Sequence, residues 1–308
     1  MTFFLLFKRQ MSLNKPVWKL KDWIDESKLN YDYLCFNPRA IQLLEKNPER
    51  INWKSLSKNS AAIELLEKNT EKIDWSLLSL NTNAISILKQ NTGKIDWIHL
   101  SKNTNAIEIL EKNHKKINWS LLSLNTNAIE LLKKNHKKID WSYLSENTAA
   151  IELLKQNKSK IFWKYLSKNA NAIELLKDNP EKIDWSYLCA NENPDIIEIL
   201  KANPEKISWY GLSENSIGIE LLEQNLEKIY WPYLCVNENP DIINILKNNQ
   251  NKIYWNYLSA NPIIFELDYE AMKKNNEAME EELLKEVMKP SRVFKNPDYD
   301  YIEELFGD

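Results

Sequence analysis

Residues 113–134 read NHKKINWSLLSLNTNAIELLKK, and residues 135–156 read NHKKIDWSYLSENTAAIELLKQ. The two stretches align without a gap, so the period is 22 residues, and self-similarity at such a period is the signature of a repeat architecture. The pattern continues in both directions. Trp recurs at 53, 75, 97, 119, 141, 163, 185, 209, 231 and 255. Two steps are 24 residues long, where ANENPD (190–195) and VNENPD (236–241) insert two residues before Asn-Pro. Tyr31 holds the Trp slot one period before Trp53. The chain therefore carries about eleven copies over residues 30–268.

The unit, close to K-I-D-W-S-x-L-S-x-N-x-x-A-I-E-L-L-E-K-N, divides into two short helices. Helix A starts at the Asp-Trp step, where Asp74, Asp96, Asp140, Asp184, Asn52, Asn118 and Ser208 are good N-cap residues. Trp75 and Leu78, three apart, share one helical face. Helix B is expected after a recurrent Asn at 37, 59, 81, 103, 125, 147, 169, 193, 215, 239 and 261; Pro follows it four times, suiting the first helical position. Its A-I-E-L-L-E-K segment has high helix propensity, and Glu64–Lys68, Glu108–Lys112 and Glu130–Lys134 have favourable i,i+4 spacing. A second Asn (47, 69, 91 and onward) closes helix B, with the left-handed C-cap conformation that Asn tolerates as its expected geometry.

Helices this short are marginal alone, so each unit must bury its Ile, Trp, Leu and Ala-Ile face against a neighbour. The expected fold is all-α: a right-handed α-solenoid of about eleven helix-turn-helix repeats of 22–24 residues, stacked quasi-one-dimensionally. At about 8–10 Å per repeat it would be a curved rod on the order of 100 Å long, its curvature perturbed at the insertions. A leucine-rich repeat shares the period but needs inward apolar residues at alternating positions. The slot five after Trp holds Lys58, Leu80, Lys102, Leu124 and Glu146, a surface mixture, which argues against it. The expected organisation is an N-terminal cap over 1–29, the array over 30–268, and an acidic C-terminal helix and tail over 269–308.

Composition narrows the function classes. The 308 residues include only 4 Gly, too few for phosphate-cradling loops or dinucleotide folds. Net charge is −3, but residues 266–308 hold 13 acidic against 6 basic side chains, leaving a mildly basic body. Cys35, Cys189 and Cys235 stand where other copies have Ser, too far apart along an array to pair with each other, which fits a reducing compartment. No transmembrane stretch is evident, and the apolar run Phe3–Phe7 is too short for a signal segment.

The unit I-D-W-x-x-L-S-x-N-x-x-A-I-x-L-L-x-x-N, with the closing K-P-S-R-V-F-K and Y-D-Y-I-E-E-L, resembles tandem 22-residue helical-repeat proteins, themselves uncharacterised, encoded by mimivirus-like giant DNA viruses. The resemblance implies architecture and a setting in the host cytoplasm or the virion, and brings no activity with it.

No catalytic or cofactor constellation stands out. Of the three His, His99, His114 and His136, the last two share a slot one repeat apart and lack Cys or acidic companions at metal-ligand spacing, and the recurrent Ser suits a local backbone bond. A basic ladder runs through Arg50, Lys72, Lys94, Lys116, Lys138, Lys160 and onward, with Tyr143, Tyr165 and Tyr187 two after Trp. Such an edge could track a nucleic-acid backbone, or each Lys could cover a Trp ring. Phe162, Tyr230 and Tyr254 break the cap slot; exposed, they would mark a partner patch, and folded under, mere core. The expectation is a non-catalytic scaffold for an unidentified protein partner, with no cofactor and no membrane. Its candidate contacts are Lys116, Lys138, Lys160, Tyr143, Tyr165, Tyr187, Phe162, Tyr230 and Tyr254. The alternative is a nucleic-acid-binding array using the Lys ladder.

Overall fold

The computed structural model describes residues 16–287. Expectations for residues 1–15 and 288–308 lie outside them. Helix A recurs eleven times, from Tyr31–Leu34 and Trp53–Ser57 to Trp255–Ala260, and helix B ten times, from Ile41–Lys46 to Ile242–Asn248. A 3-10 turn precedes each helix A. The first is Glu26–Lys28, so repeat 1 begins inside the segment expected to be a cap. In repeat 11 the second half becomes a 3-10 turn, Pro262–Ile264, and a strand, β2 (Phe265–Leu267). It pairs with β1 (Trp18–Leu20), and the bonds Lys21 N–H to Ile264 O and Asp268 N–H to Val17 O make the pair antiparallel.

The Leu three after each Trp is fully buried in every copy, from Leu34 to Leu258, as is the helix B Leu from Leu44 to Leu246. Each such side chain contributes about 1.5–3 kcal/mol on burial. Between these layers lies a polar spine. In each repeat the Asn six after the Trp slot is buried, and its amide donates to two carbonyls of the preceding repeat. Asn125, for example, reaches Ser101 O at 3.2 Å and Asn103 O at 3.0 Å, while its Oδ1 accepts Asn127 N–H at 3.0 Å. The hydroxyl of Ser123 accepts Asp140 N–H of the next repeat at 3.0 Å and donates to Trp119 O.

Within the compact unit Leu20–Phe265 the stack closes on itself, and this replaces the open rod expected from the sequence. Asn37 of repeat 1 donates to Ser259 O and Asn261 O of repeat 11, at 3.1 and 2.9 Å, as every other spine Asn does to its predecessor. Asn30 N–H reaches Ser259 Oγ at 2.9 Å, and Arg39 donates to Pro262 O at 3.1 Å. The curvature has a local cause. Short side chains bridge successive helices A, as in Ser76 to Asp96 and Asn52 to Asp32. Successive helices B are joined by long ones, as in Lys89–Glu108 and Lys201–Glu220. The bridges between helices A are thus shorter than those between helices B, giving a wedge whose eleven steps of about 33° complete a turn. The helix A row is its concave side.

Three local expectations are corrected. No described residue outside Gly has positive φ. The second Asn sits near φ −129, ψ 58 at Asn47, and its amide takes the carbonyl four residues back, Leu43 O, at 2.9 Å. The exposed end of helix B is thereby satisfied without a left-handed residue, and the 3-10 turn continues the chain. In the two longer copies the spine Asn is Asn191 and Asn237, not Asn193 and Asn239. The extra residues lie after the spine, where Asn193 and Asn239 form a second turn. Spine bonds on either side stay between 2.7 and 3.0 Å, so the inter-repeat step survives the insertion. Glu130 pairs with Lys133 rather than Lys134, while Glu108–Lys112 forms as spaced.

The other compact unit includes, among the described residues, 16–19 and 266–287. It holds a Lys19–Glu266 pair and the helix Tyr269–Val287, capped by Asp268. No helix among the described residues is long and apolar enough to cross a membrane.

Asn125→Leu would take the side-chain partner from Ser101 O and from the Asn127 N–H, at about 1–3 kcal/mol each, and leave Asn103 O with its Ala106 N–H bond alone. Urea denaturation should show a loss of at least about 2 kcal/mol, whereas the exposed Asn127→Ala, losing one bond to Thr104 O, should lose under about 1.5 kcal/mol.

Candidate functional site

The basic ladder rests on the aromatic slots. Each turn Lys lies over the indole of the preceding repeat at 4.4–4.8 Å from the ring centre; Lys116 covers Trp97, Lys138 covers Trp119 and Lys160 covers Trp141. Arg50 lies over Tyr31 at 3.4 Å, and Lys28 over Trp255 carries the ladder across the closure. Of the two readings of the ladder, the structure takes the one in which Lys covers Trp. Each such contact contributes about 0.5–1 kcal/mol at an exposed site, and the aliphatic stem shields the half-buried indole.

Tyr143, Tyr165 and Tyr187 project from helix A two residues after Trp and are half-buried. Tyr165 meets Tyr187 edge-to-face at 5.7 Å, and Lys164 lies over Tyr187 at 5.0 Å. The nine candidates therefore fall into three slots of the helix A row, not one pocket.

The cap slot separates two kinds of repeat. Asn52, Asp74, Asp96, Asn118, Asp140 and Asp184 each accept a backbone N–H of helix A. Ser208, expected to cap, makes no such bond, and neither do Phe162, Tyr230 and Tyr254, which stand 51%, 45% and 51% exposed. A cap is worth about 1 kcal/mol, so three repeats forgo that stabilisation to present an aromatic ring to solvent. Sites that break a local rule are where function is to be sought.

In repeats 9 to 11 these rings join others. Tyr210, Tyr230 and Tyr233 cluster with ring centres 4.2–5.3 Å apart, and the Tyr210 and Tyr233 hydroxyls are hydrogen-bonded. Tyr230 and Tyr254 flank a shallow groove of about 390 Å³, with Trp231, Pro232 and Lys252 among its lining residues. Across the closure Tyr257 meets Tyr33 edge-to-face at 5.9 Å, and Phe36 of repeat 1 is exposed. The result is an aromatic arc over repeats 9, 10, 11 and 1. Sequence reasoning found its cap-slot members and missed Tyr210 and Tyr33. Tyr210 was visible as the one aromatic in the slot after Trp, where the other copies carry Ser, Lys, Asp, Ile, Pro or Asn, but Tyr33 joins only because the stack closes.

Ser76, Asp96 and His99 also converge, though not as a proton relay. Ser76 Oγ and Asp96 Oδ2 meet the same ring nitrogen, His99 Nδ1, at 2.9 and 2.8 Å, and Asp96 is engaged as a helix cap. Burial pushes the Asp96 carboxyl up, but the Ser76 hydroxyl and His99 outweigh it and bring it down to about 2. Burial raises the thiols of Cys189 and Cys235 to about 11, and their sulfurs accept the N–H bonds that Ser accepts elsewhere. Among the described residues, no group of three or more His, Cys, Asp and Glu converges as a metal site would require. Comparison with family models, curated proteins and solved structures finds no match to this chain.

With its folded value below the ordinary 3.8, Asp96 contributes stability that is present above about pH 4 and is lost as pH falls towards 2. In urea midpoints measured from pH 2 to 6, Asp96→Asn should flatten part of the acid-side decline. Parallel curves would show that the Ser76–Asp96–His99 cluster is not coupled to folding.

Proposed function

We propose that this chain is a non-catalytic scaffold that binds a protein partner through the aromatic arc of repeats 9, 10, 11 and 1. The observation that carries the reading is the exposure of Tyr230 and Tyr254 in slots where sister repeats keep a helix cap. Tyr and Trp dominate binding energy at protein interfaces because they bring large area with few rotatable bonds. The groove between Tyr230 and Tyr254 gives an anchoring side chain somewhere to enter. A rigid stack of helices also holds such an arc in place without a cost of ordering on binding. A structural or host-factor-binding role in a virus is the setting that the resemblance of the repeat implies.

The nucleic-acid reading of the ladder loses support because its Lys residues are engaged on Trp rings. The test begins by identifying a captured partner and purifying it for calorimetric titration. The variant Tyr210→Ser/Tyr230→Ser/Tyr254→Ser should weaken binding at least about tenfold, the loss of a single modest hot spot. Tyr143→Ser/Tyr165→Ser/Tyr187→Ser should bind like the parent chain. Equal affinity for the parent and the arc variant would remove the arc from the interface.

A further inference from the structure

Charge is distributed around the turns as unevenly as aromatic rings are around the caps. The turns over 111–118, 133–140 and 155–162, leading into repeats 5, 6 and 7, carry ten Lys against two carboxylates, Glu111 and Asp140, plus His114 and His136. Elsewhere acidic residues sit beside the ladder, at Glu49, Glu71, Glu181, Glu205 and Glu227. Lys112, Lys133 and Lys155 are held by Glu108, Glu130 and Glu152, and Lys116, Lys138 and Lys160 lie on Trp rings. Lys115, Lys134, Lys137 and Lys158 remain: exposed, and without an ion pair among the described residues.

Flat rings stand within the same strip. Phe162, 51% exposed, follows Lys160 by two residues and caps nothing. His114 and His136 are exposed in their turns, and His136 is held edge-on to Trp141 at 5.2 Å. Cations interleaved with exposed planar rings match a polymer that alternates phosphates with stackable bases. A duplex hides its base faces, so it could use the Lys residues but not Phe162. An acidic protein segment would need the charges alone.

We propose that this strip is a binding surface for single-stranded nucleic acid, with phosphates on Lys115, Lys134, Lys137 and Lys158 and a base stacked on Phe162. The surface is distinct from the aromatic arc, so either can fail without the other. It differs from a ladder-wide interface in being confined to three of the eleven turns.

The test is fluorescence anisotropy of the full chain with labelled dT20, U20 and a 20-base-pair duplex. Both single strands should bind at 50 mM salt more tightly than the duplex. Four phosphate contacts give a salt slope near −3, so affinity should fall about fiftyfold between 50 and 200 mM. Lys115→Gln/Lys137→Gln/Lys158→Gln should weaken binding at least tenfold and flatten that slope, whereas Lys247→Gln, outside the strip, should leave it unchanged. Phe162→Asp restores the residue type of the sister caps, so it should melt no lower than the parent chain while binding dT20 at least about fivefold more weakly. The arc variant of the preceding section should bind oligonucleotide normally. No binding of dT20 or U20 at 50 mM salt overturns the proposal, as does equal binding of the duplex or an unaffected triple-Gln variant. Polyglutamate competing as well as unlabelled dT20 overturns it in favour of an acidic protein segment.

Discussion

One interaction organises this molecule: a buried Asn amide that can be satisfied only by the backbone of the repeat before it. Each spine Asn donates two bonds backwards and uses its own oxygen to start the next turn. A free end in such a stack would leave donors at one terminus and buried carbonyls at the other without partners. An open β-sheet has the same difficulty with its edges, and a barrel removes it by closing. Here Asn37 meets Ser259 O and Asn261 O, and the row has no end. The Ser hydroxyl bonds and the Lys-over-aromatic contacts close at the same junction, through Asn30 and Lys28. Three kinds of contact with unlike physics therefore agree on one geometry, the mutual consistency that lets a sequence specify a single state.

Much of this was legible in the sequence because each repeat slot has one chemical task repeated many times. Trp, Leu and Ala-Ile mark the buried faces, Asp and Asn the starts of helix A, and Lys the covers of the indoles. Closure was not legible. It depends on a small rotation summed over eleven steps, and no single unit displays that angle. Its consequences join residues such as Tyr33 and Tyr257, which lie at opposite ends of the chain. The closing Asn was misread for a different reason. Its side-chain amide supplies the bond that a left-handed backbone would otherwise have provided, and composition alone does not separate the two solutions. In the longer copies the choice between Asn191 and Asn193 is one of register. Burial decides it: Asn191 takes the spine carbonyls Ser167 O and Asn169 O, whereas the less buried Asn193 donates to Ala170 O of the same preceding repeat.

Function is written in the departures from the pattern. The cap slot is polar through most of the array and aromatic at Phe162, Tyr230 and Tyr254. The turns of the other repeats hold one or two cations each, and cations crowd where Lys115, Lys134, Lys137 and Lys158 stand together. Neither departure is needed by the spine, the core or the ladder, all of which are complete in the sister repeats without it. A rigid, closed stack can carry such substitutions at modest cost because each repeat touches only its two neighbours. Cys35, Cys189 and Cys235 show the contrasting case: they replace Ser but keep its hydrogen-bonding task, and are explained by the fold alone.

The central claim is that repeat 11 is the neighbour of repeat 1. Asp32 and Asn256 hold the exposed slot one after the aromatic in those two repeats, as Lys164 and Ser186 do in two repeats adjacent in sequence. The native thiols are buried, so spin labels can be directed to introduced cysteines. Pulsed electron-electron distance measurement on Asp32→Cys/Asn256→Cys and on Lys164→Cys/Ser186→Cys, in dilute monomer, compares the two pairs directly. A closed stack gives both pairs the same separation. A separation for Asp32/Asn256 many times that of the reference pair, approaching the roughly 100 Å of an unclosed array, would contradict the account.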